Sequence, residues 1–262
     1  MNSNIYDGIL GLDFNKIDFL NSSFIRQLYN EKYISKPSFS IIITSEDINR
    51  LYLGDILENE YIKNEFKYGG IKGECSIANG QEKWICPIKR IYYKKSSFFY
   101  ENYTLKIDTK ENKLIIPMNF YEYILLGKRT VIRKNKKIGP RSRTIYDREC
   151  QKAPDGTFLC RCKAKEEFGY IVFEFNGTLS ININKYVHFD EFGTYKCKVD
   201  ISLTEKNEWI VGLKGLKDTI LSFNMEDKKI KFMKFEKNDG FQYMYLLGIF
   251  IIIFIIWVII KF

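Results

Sequence analysis

Histidine is nearly missing from this sequence: among 262 residues only His188 occurs. None of the six cysteines sits in a Cys-x-x-Cys knuckle. A zinc site needs several His, Cys or carboxylate ligands at close spacing, so neither a metal nor another cofactor is expected. The opening stretch, Met1 to Ile9, lacks a basic start and an apolar run, so no secretory leader is read there. Apolar residues are not scarce, at 45%, and aromatics reach 16%. A disordered chain is therefore not the default, and there is material for one large domain or two small lobes.

Ile, Tyr, Phe and Val recur in short runs. These side chains pack well on a pleated surface, so strands are expected throughout. The formal net charge of +9 fits an anionic partner or simply a solvated lysine-rich surface, and alone decides neither. The six cysteines are Cys75, Cys86, Cys150, Cys160, Cys162 and Cys197. Their even number and mixed spacing fit three disulfides in an oxidising compartment. Asn21, Asn102 and Asn176 each open an Asn-x-Ser/Thr sequon, which points the same way. The competing reading is six buried thiols and three chance tripeptides.

Residues 241–260, FQYMYLLGIFIIIFIIWVII, carry no charge. As a helix they would span about 30 Å, the thickness of a bilayer core. Tyr243, Tyr245 and Trp257 lie toward the two ends, where aromatic rings prefer the interface. A single transmembrane helix is expected. Lys228, Lys229, Lys231, Lys234 and Lys237 precede it and only Lys261 follows. By the positive-inside tendency the globular part would be cytoplasmic, whereas cysteines and sequons favour the lumen or exterior. The second is preferred, because folded domains translocate largely regardless of charge. The expected location is thus a secretory or lysosome-like membrane.

Along the chain, Ser22 or Ser23 can cap a short helix from Phe24, with Phe24, Leu28 and Tyr33 on one face. Pro37 ends it, and Phe39–Thr44 reads as a buried strand. Trp84-Ile-Cys-Pro-Ile and Tyr103–Thr109 read as strands, and a short helix follows Pro117. Tyr170–Phe175 before Asn176-Gly177 gives the best local hairpin signal. Residues 209–233 read as a strand, a short helix and two more strands. The expectation is an all-β, β-rich fold with a few short helices, barrel-like in character. Gly127–Arg143, GKRTVIRKNKKIGPRSR, reads as a solvated basic loop. It has no interleaved aromatics for stacking bases, so nucleic acid is not an expected partner. A module binding acidic polymers through residues 128–143 remains an alternative.

The order of these pieces resembles pepsin-like aspartic peptidases. Tyr6-Asp-Gly-Ile-Leu-Gly-Leu, a helix, Phe39-Ser-Ile-Ile-Ile and Leu51-Tyr-Leu-Gly-Asp are similar to the second half of that family's N-terminal lobe. Ile107-Asp108-Thr109, with Pro117 nine residues after the aspartate, is similar to its second catalytic loop. Trp209-Ile-Val-Gly, a short helix, Leu221-Ser-Phe-Asn and Ile230-Lys-Phe resemble its last landmark. The resemblance implies a pepsin-like fold: residues 1–62 as a remnant of the N-terminal lobe, 63–236 as the C-terminal lobe, and 241–260 as the membrane helix.

In that family two aspartates share one proton, because adjacent carboxylates cannot both ionise cheaply. The resemblance gives Asp108 the place of the second aspartate and Thr109 that of its hydroxyl partner. Ile9-Leu10-Gly11 and Ile210-Val211-Gly212 take the places of the two loop supports. It also pairs Cys160 or Cys162 with Cys197. Cys75 with Cys86 would close a hairpin, and Cys150 would take the remaining member of Cys-x-Cys. Three departures bear on activity. The first Asp-Thr-Gly and the flap tyrosine would precede Ile9, before Met1. The second loop reads Asp108-Thr109-Lys110-Glu111, where the family has glycine at the third position. The expectation is a membrane-anchored homologue with a peptide or protein ligand, inactive as this chain. An active endopeptidase of which this is a fragment is the alternative, and another chain could complete the N-terminal lobe.

Overall fold

The computed structural model describes residues 12, 23–44, 49–58, 67–77, 83–94, 96–98, 102–135, 139–162, 168–189 and 196–236. Runs of β-branched and aromatic residues become strands, and the few helices are short. Helix α1 (Phe24–Asn30) leads past Pro37 into β1 (Ser38–Ile43) and β2 (Asn49–Leu53). β3 (Lys67–Ser76), β4 (Ile85–Pro87), β5 (Arg90–Tyr93), β6 (Ser96–Phe98), β7 (Thr104–Ile107) and β8 (Leu114–Pro117) follow. After Pro117 a 3-10 turn, Met118–Phe120, runs into helix α2 (Tyr121–Ile124). Next come β9 (Arg129–Asn135), β10 (Gly139–Ile145), β11 (Cys150–Lys152), β12 (Phe158–Arg161) and the long β13 (Tyr170–Asn182). The chain ends its described part with β14 (Val187–Phe189), β15 (Lys196–Val199), β16 (Ile201–Thr204), β17 (Glu208–Val211), β18 (Thr219–Asn224) and β19 (Lys229–Glu236).

An eight-stranded sheet in the order β2-β1-β18-β19-β3-β13-β5-β6 forms the base. It joins strands from both sides of the expected boundary at residue 62, since β1 pairs antiparallel with β18, Phe39 opposite Phe223. Those two rings stack at 4.6 Å, and Trp84 meets Phe223 edge-on at 4.9 Å. The other face of the same strands buries Ile42, Ile220 and Met233 with Ile56. Burial on both faces is why Ile41–Ile43 of β1 read as a continuous apolar run rather than an alternating one. A five-stranded sheet, β16-β8-β17-β7-β4, carries the Asp108 turn. β11-β12-β15-β14 form a third sheet and β9-β10 a two-stranded ribbon.

Several local expectations change in the fold. Ile25, fully buried, is the core residue of α1, while Phe24 and Tyr33 are exposed. The helix ends at Asn30 and Lys32 turns the chain at φ 63°, so Tyr33 falls off the helical face. Ser23 does precede α1, but its hydroxyl donates to Met225 Sδ instead of capping the helix. Asn176-Gly177 is no hairpin turn; it lies inside β13, opposite Glu74 and Gly73 of β3. Gly177 has φ 92°, and a Cβ there would lie 2.4 Å from the Lys72 carbonyl oxygen. The glycine serves a close strand crossing, not a reversal. Gly127–Arg143 is likewise not a loop, since β9 and β10 pair from Arg129–Ile145 through Asn135–Gly139.

Three disulfides join Cys75 to Cys86, Cys150 to Cys160 and Cys162 to Cys197. Cys75 and Cys86 do not close a hairpin. They tie β3 of the eight-stranded sheet to β4 of the five-stranded sheet. No helix among the described residues is long and apolar enough to cross a membrane. Residues 241–260, Ile9-Leu10-Gly11 and Asn21 lie outside the described residues.

Candidate active site

β7 and β8 are consecutive in the chain but do not pair; β17 lies between them, parallel to β7 and antiparallel to β8. The turn joining β7 to β8 therefore arches over the end of β17, and this turn holds Asp108. Its backbone N–H donates to the Val211 carbonyl at 3.1 Å. The Glu111 N–H donates back to the Asp108 carbonyl at 3.2 Å. Gly212 then sits against the turn so closely that a Cβ would lie 1.8 Å from the Glu111 carbonyl oxygen. Ile210, Val211 and Gly212 are thus brought directly beneath Asp108.

The support is anchored below by aromatic packing. Trp209 and Val211 are fully buried. Trp209 meets Phe120 at 4.8 Å and Phe173 at 5.1 Å, both edge-on. Phe120 belongs to the turn after Pro117 and also meets Tyr103. The spacing from Asp108 to Pro117 thus has a mechanical meaning: it lets β8 run back and seat Phe120 on Trp209.

The Asp108 carboxylate, 24% exposed, accepts from Lys106 Nζ at 2.8 Å through one oxygen. Its other oxygen accepts from the Lys110 backbone N–H at 3.1 Å. Partial burial raises the carboxyl's pKa, but the Lys106 hydrogen bond, the Lys110 N–H and the charges of both lysines outweigh it, and the net direction is down. In the sequence, Lys110 is the cation nearest Asp108 on the C-terminal side. In the fold the contacting ammonium is that of Lys106, while Lys110 contributes its backbone. Strand alternation could have found it, because residues 106 and 108 share a face. Thr109 and Lys110 are exposed at the tip of the turn.

A second polar group beside this framework went unnoticed in the sequence. Asp200 Oδ2 lies 2.6 Å from His188 Nε2 and 3.1 Å from Lys214 Nζ. Burial raises the Asp200 pKa, but hydrogen bonds from Lys214 and His188 reverse it, so the net shift is downward. The Asp200 carbonyl accepts from the Leu114 N–H at 3.0 Å, so this cluster braces the start of β8. No sequence signal marks it, since its members come from three separated segments. No group of three or more His, Cys, Asp or Glu residues able to hold a metal occurs among the described residues. Of the sequon asparagines, Asn102 and Asn176 are exposed.

Comparison with curated proteins gave no match. The family model for eukaryotic aspartyl protease matches residues 1–235.

Proposed function

The chain belongs to the eukaryotic aspartyl protease family, and from that premise we propose a membrane-anchored, pepsin-like homologue that does not hydrolyse peptides in this form. Family membership implies peptide substrates, so a retained peptide-binding function is the natural role. The observation that carries the reading is the 2.8 Å Lys106–Asp108 ion pair. Hydrolysis by this family needs two carboxyls holding one proton between them, one activating water and the other donating to the carbonyl oxygen. The charges acting on Asp108 are those of Lys106 and Lys110, which favour the ionised form and oppose proton sharing. Lys110 also occupies the position where glycine lets the backbone approach closely.

Anchoring rests on the uncharged run 241–260. A luminal or extracellular globular part is supported by three disulfides and by exposed Asn102 and Asn176. Nucleic acid is not part of this reading. The test is full-length protein in detergent micelles, assayed at acid pH against a broad peptide library. No pepstatin-sensitive cleavage is expected. Cleavage that pepstatin blocks and Asp108→Asn abolishes would overturn the proposal.

A second reading has one specific observation behind it. The Gly212 and Val211 support beneath the Asp108 turn is complete. Such a framework suits an endopeptidase whose other aspartate comes from a further segment or a complementing chain. Co-expression with a first-lobe fragment bearing Asp-Thr-Gly should then restore acid peptidase activity; failure to do so removes this reading.

A further inference from the structure

A cleft of about 530 Å³ opens on the eight-stranded sheet, and it shares no lining residue with the Asp108 turn. Its floor includes Phe232 and Met233, both buried. Its rim brings Lys72, Lys185, Lys217 and Lys234 around a single carboxylate, Asp218. Lys185 donates to the Lys217 carbonyl at 3.0 Å and lies 3.7 Å from Asp218. Burial lowers the Lys185 pKa; Asp218 opposes this and the charge of Lys217 adds to it. The residues lining the cleft carry more positive than negative charge, and an anion seated there would offset both the like-charge crowding and the desolvation. Thr178 and Ser180 also line the cleft, and its volume is in the range of about 300–1,000 Å³ typical of small-ligand sites.

The sequence indicates where the anion comes from. Lys234 lies on β19, the last described strand, and Phe241 begins the uncharged run. At most about 25 Å of extended chain separates them. The cleft is therefore tethered next to whatever surface that run enters. We propose that it receives the phosphate-bearing head group of an anionic phospholipid, orienting the globular part against its own membrane. This rests on the anchoring proposed above.

The test uses the full chain in nanodiscs of phosphatidylcholine, alone or mixed with phosphatidylserine, with lysine labelling read by mass spectrometry. Lys72, Lys217 and Lys234 should label several-fold more slowly in the anionic discs, and added salt should erase the difference. Lys206, exposed between β16 and β17, should label equally in both. Lys72→Gln combined with Lys234→Gln should restore Lys217 labelling, a loss of roughly thirtyfold in head-group affinity. Equal labelling of the cleft lysines in both discs overturns the proposal. Protection of Lys217 by sn-glycerol 3-phosphate in neutral discs also overturns it, in favour of a soluble ligand. Anchoring is checked separately by alkaline carbonate extraction of the full chain. If the chain is released, the anchoring reading falls by itself, and labelling is repeated with anionic vesicles added from outside. Equal labelling there overturns the cleft proposal independently.

Discussion

Replacing Gly212 by alanine tests whether β17 holds the Asp108 turn in place. Gly212 has φ −84°, a conformation alanine accepts, so backbone strain does not oppose the change. By itself, loss of glycine's freedom in the unfolded chain would stabilise by about 0.4–1 kcal/mol. The new Cβ, however, would lie 1.8 Å from the Glu111 carbonyl oxygen, against a floor of 3.0 Å for real contacts. The 108–111 turn must retreat by at least 3.0 − 1.8 = 1.2 Å. That movement breaks the 3.1 Å bond from Asp108 N–H to the Val211 carbonyl. Overpacking costs about 1–3 kcal/mol and the lost hydrogen bond about 1 kcal/mol. Net of the glycine gain, Gly212→Ala should destabilise by about 1–3.5 kcal/mol, lowering Tm by roughly 2–14 °C at this chain length. Scanning calorimetry of both proteins at one scan rate reads the shift. Amide exchange should show the Asp108 N–H newly unprotected. A Tm within about 1 °C of the parent would refute the claim that Gly212 and the turn are in close register.

Asp108 contributes to stability in a pH-dependent way. Its folded pKa lies below the ordinary 3.8, so its contribution is full above the unfolded value and is lost as pH falls through the folded one. The parent should exceed Asp108→Asn in stability by about 1 kcal/mol at neutral pH, and the margin should vanish only in strong acid, as followed by urea titration. A margin that disappears near neutrality would contradict the Lys106 ion pair. Converting Cys75 and Cys86 together to serine should cost about 2–3 kcal/mol in denaturant unfolding, as expected for a short closed loop; an unchanged midpoint would mean the bond does not staple the two sheets. Gly177→Ala combines a φ of 92° with a 2.4 Å approach to the Lys72 carbonyl oxygen. Its Tm loss should exceed that of Gly212→Ala, and a smaller loss would remove the close crossing of β3 and β13. In the full chain expressed in eukaryotic cells, Asn102→Gln should lose the mass of one glycan, and an unchanged mass would count against a luminal orientation.

Much of the strand content was legible because period and composition report burial directly. Phe39–Ile43 reads as buried and is covered on both faces. The helix after Pro117 and the strand, short helix and two strands of residues 209–233 were also readable from local chemistry. The failures share a cause. Asn176-Gly177 has the residues of a tight turn, but whether a glycine reverses the chain or admits a crossing strand depends on what lies opposite. Here that is Gly73, distant in sequence. The basic 127–143 stretch shows no alternation in its sequence, so nothing local marked the antiparallel pairing of β9 with β10.

By itself the sequence determined the order of motifs, the position of Asp108 relative to Pro117 and Trp209, the cysteine supply and the uncharged run at 241–260. Only the tertiary structure decided which cation meets Asp108, how β17 comes between β7 and β8, and which lysines gather around one cleft. The physical reason is range. Propensity, capping and alternation act over a few residues and leave a signature in the chain. Electrostatic neighbours and steric floors such as Glu111 above Gly212 act through space, between residues that nothing in their local sequence connects.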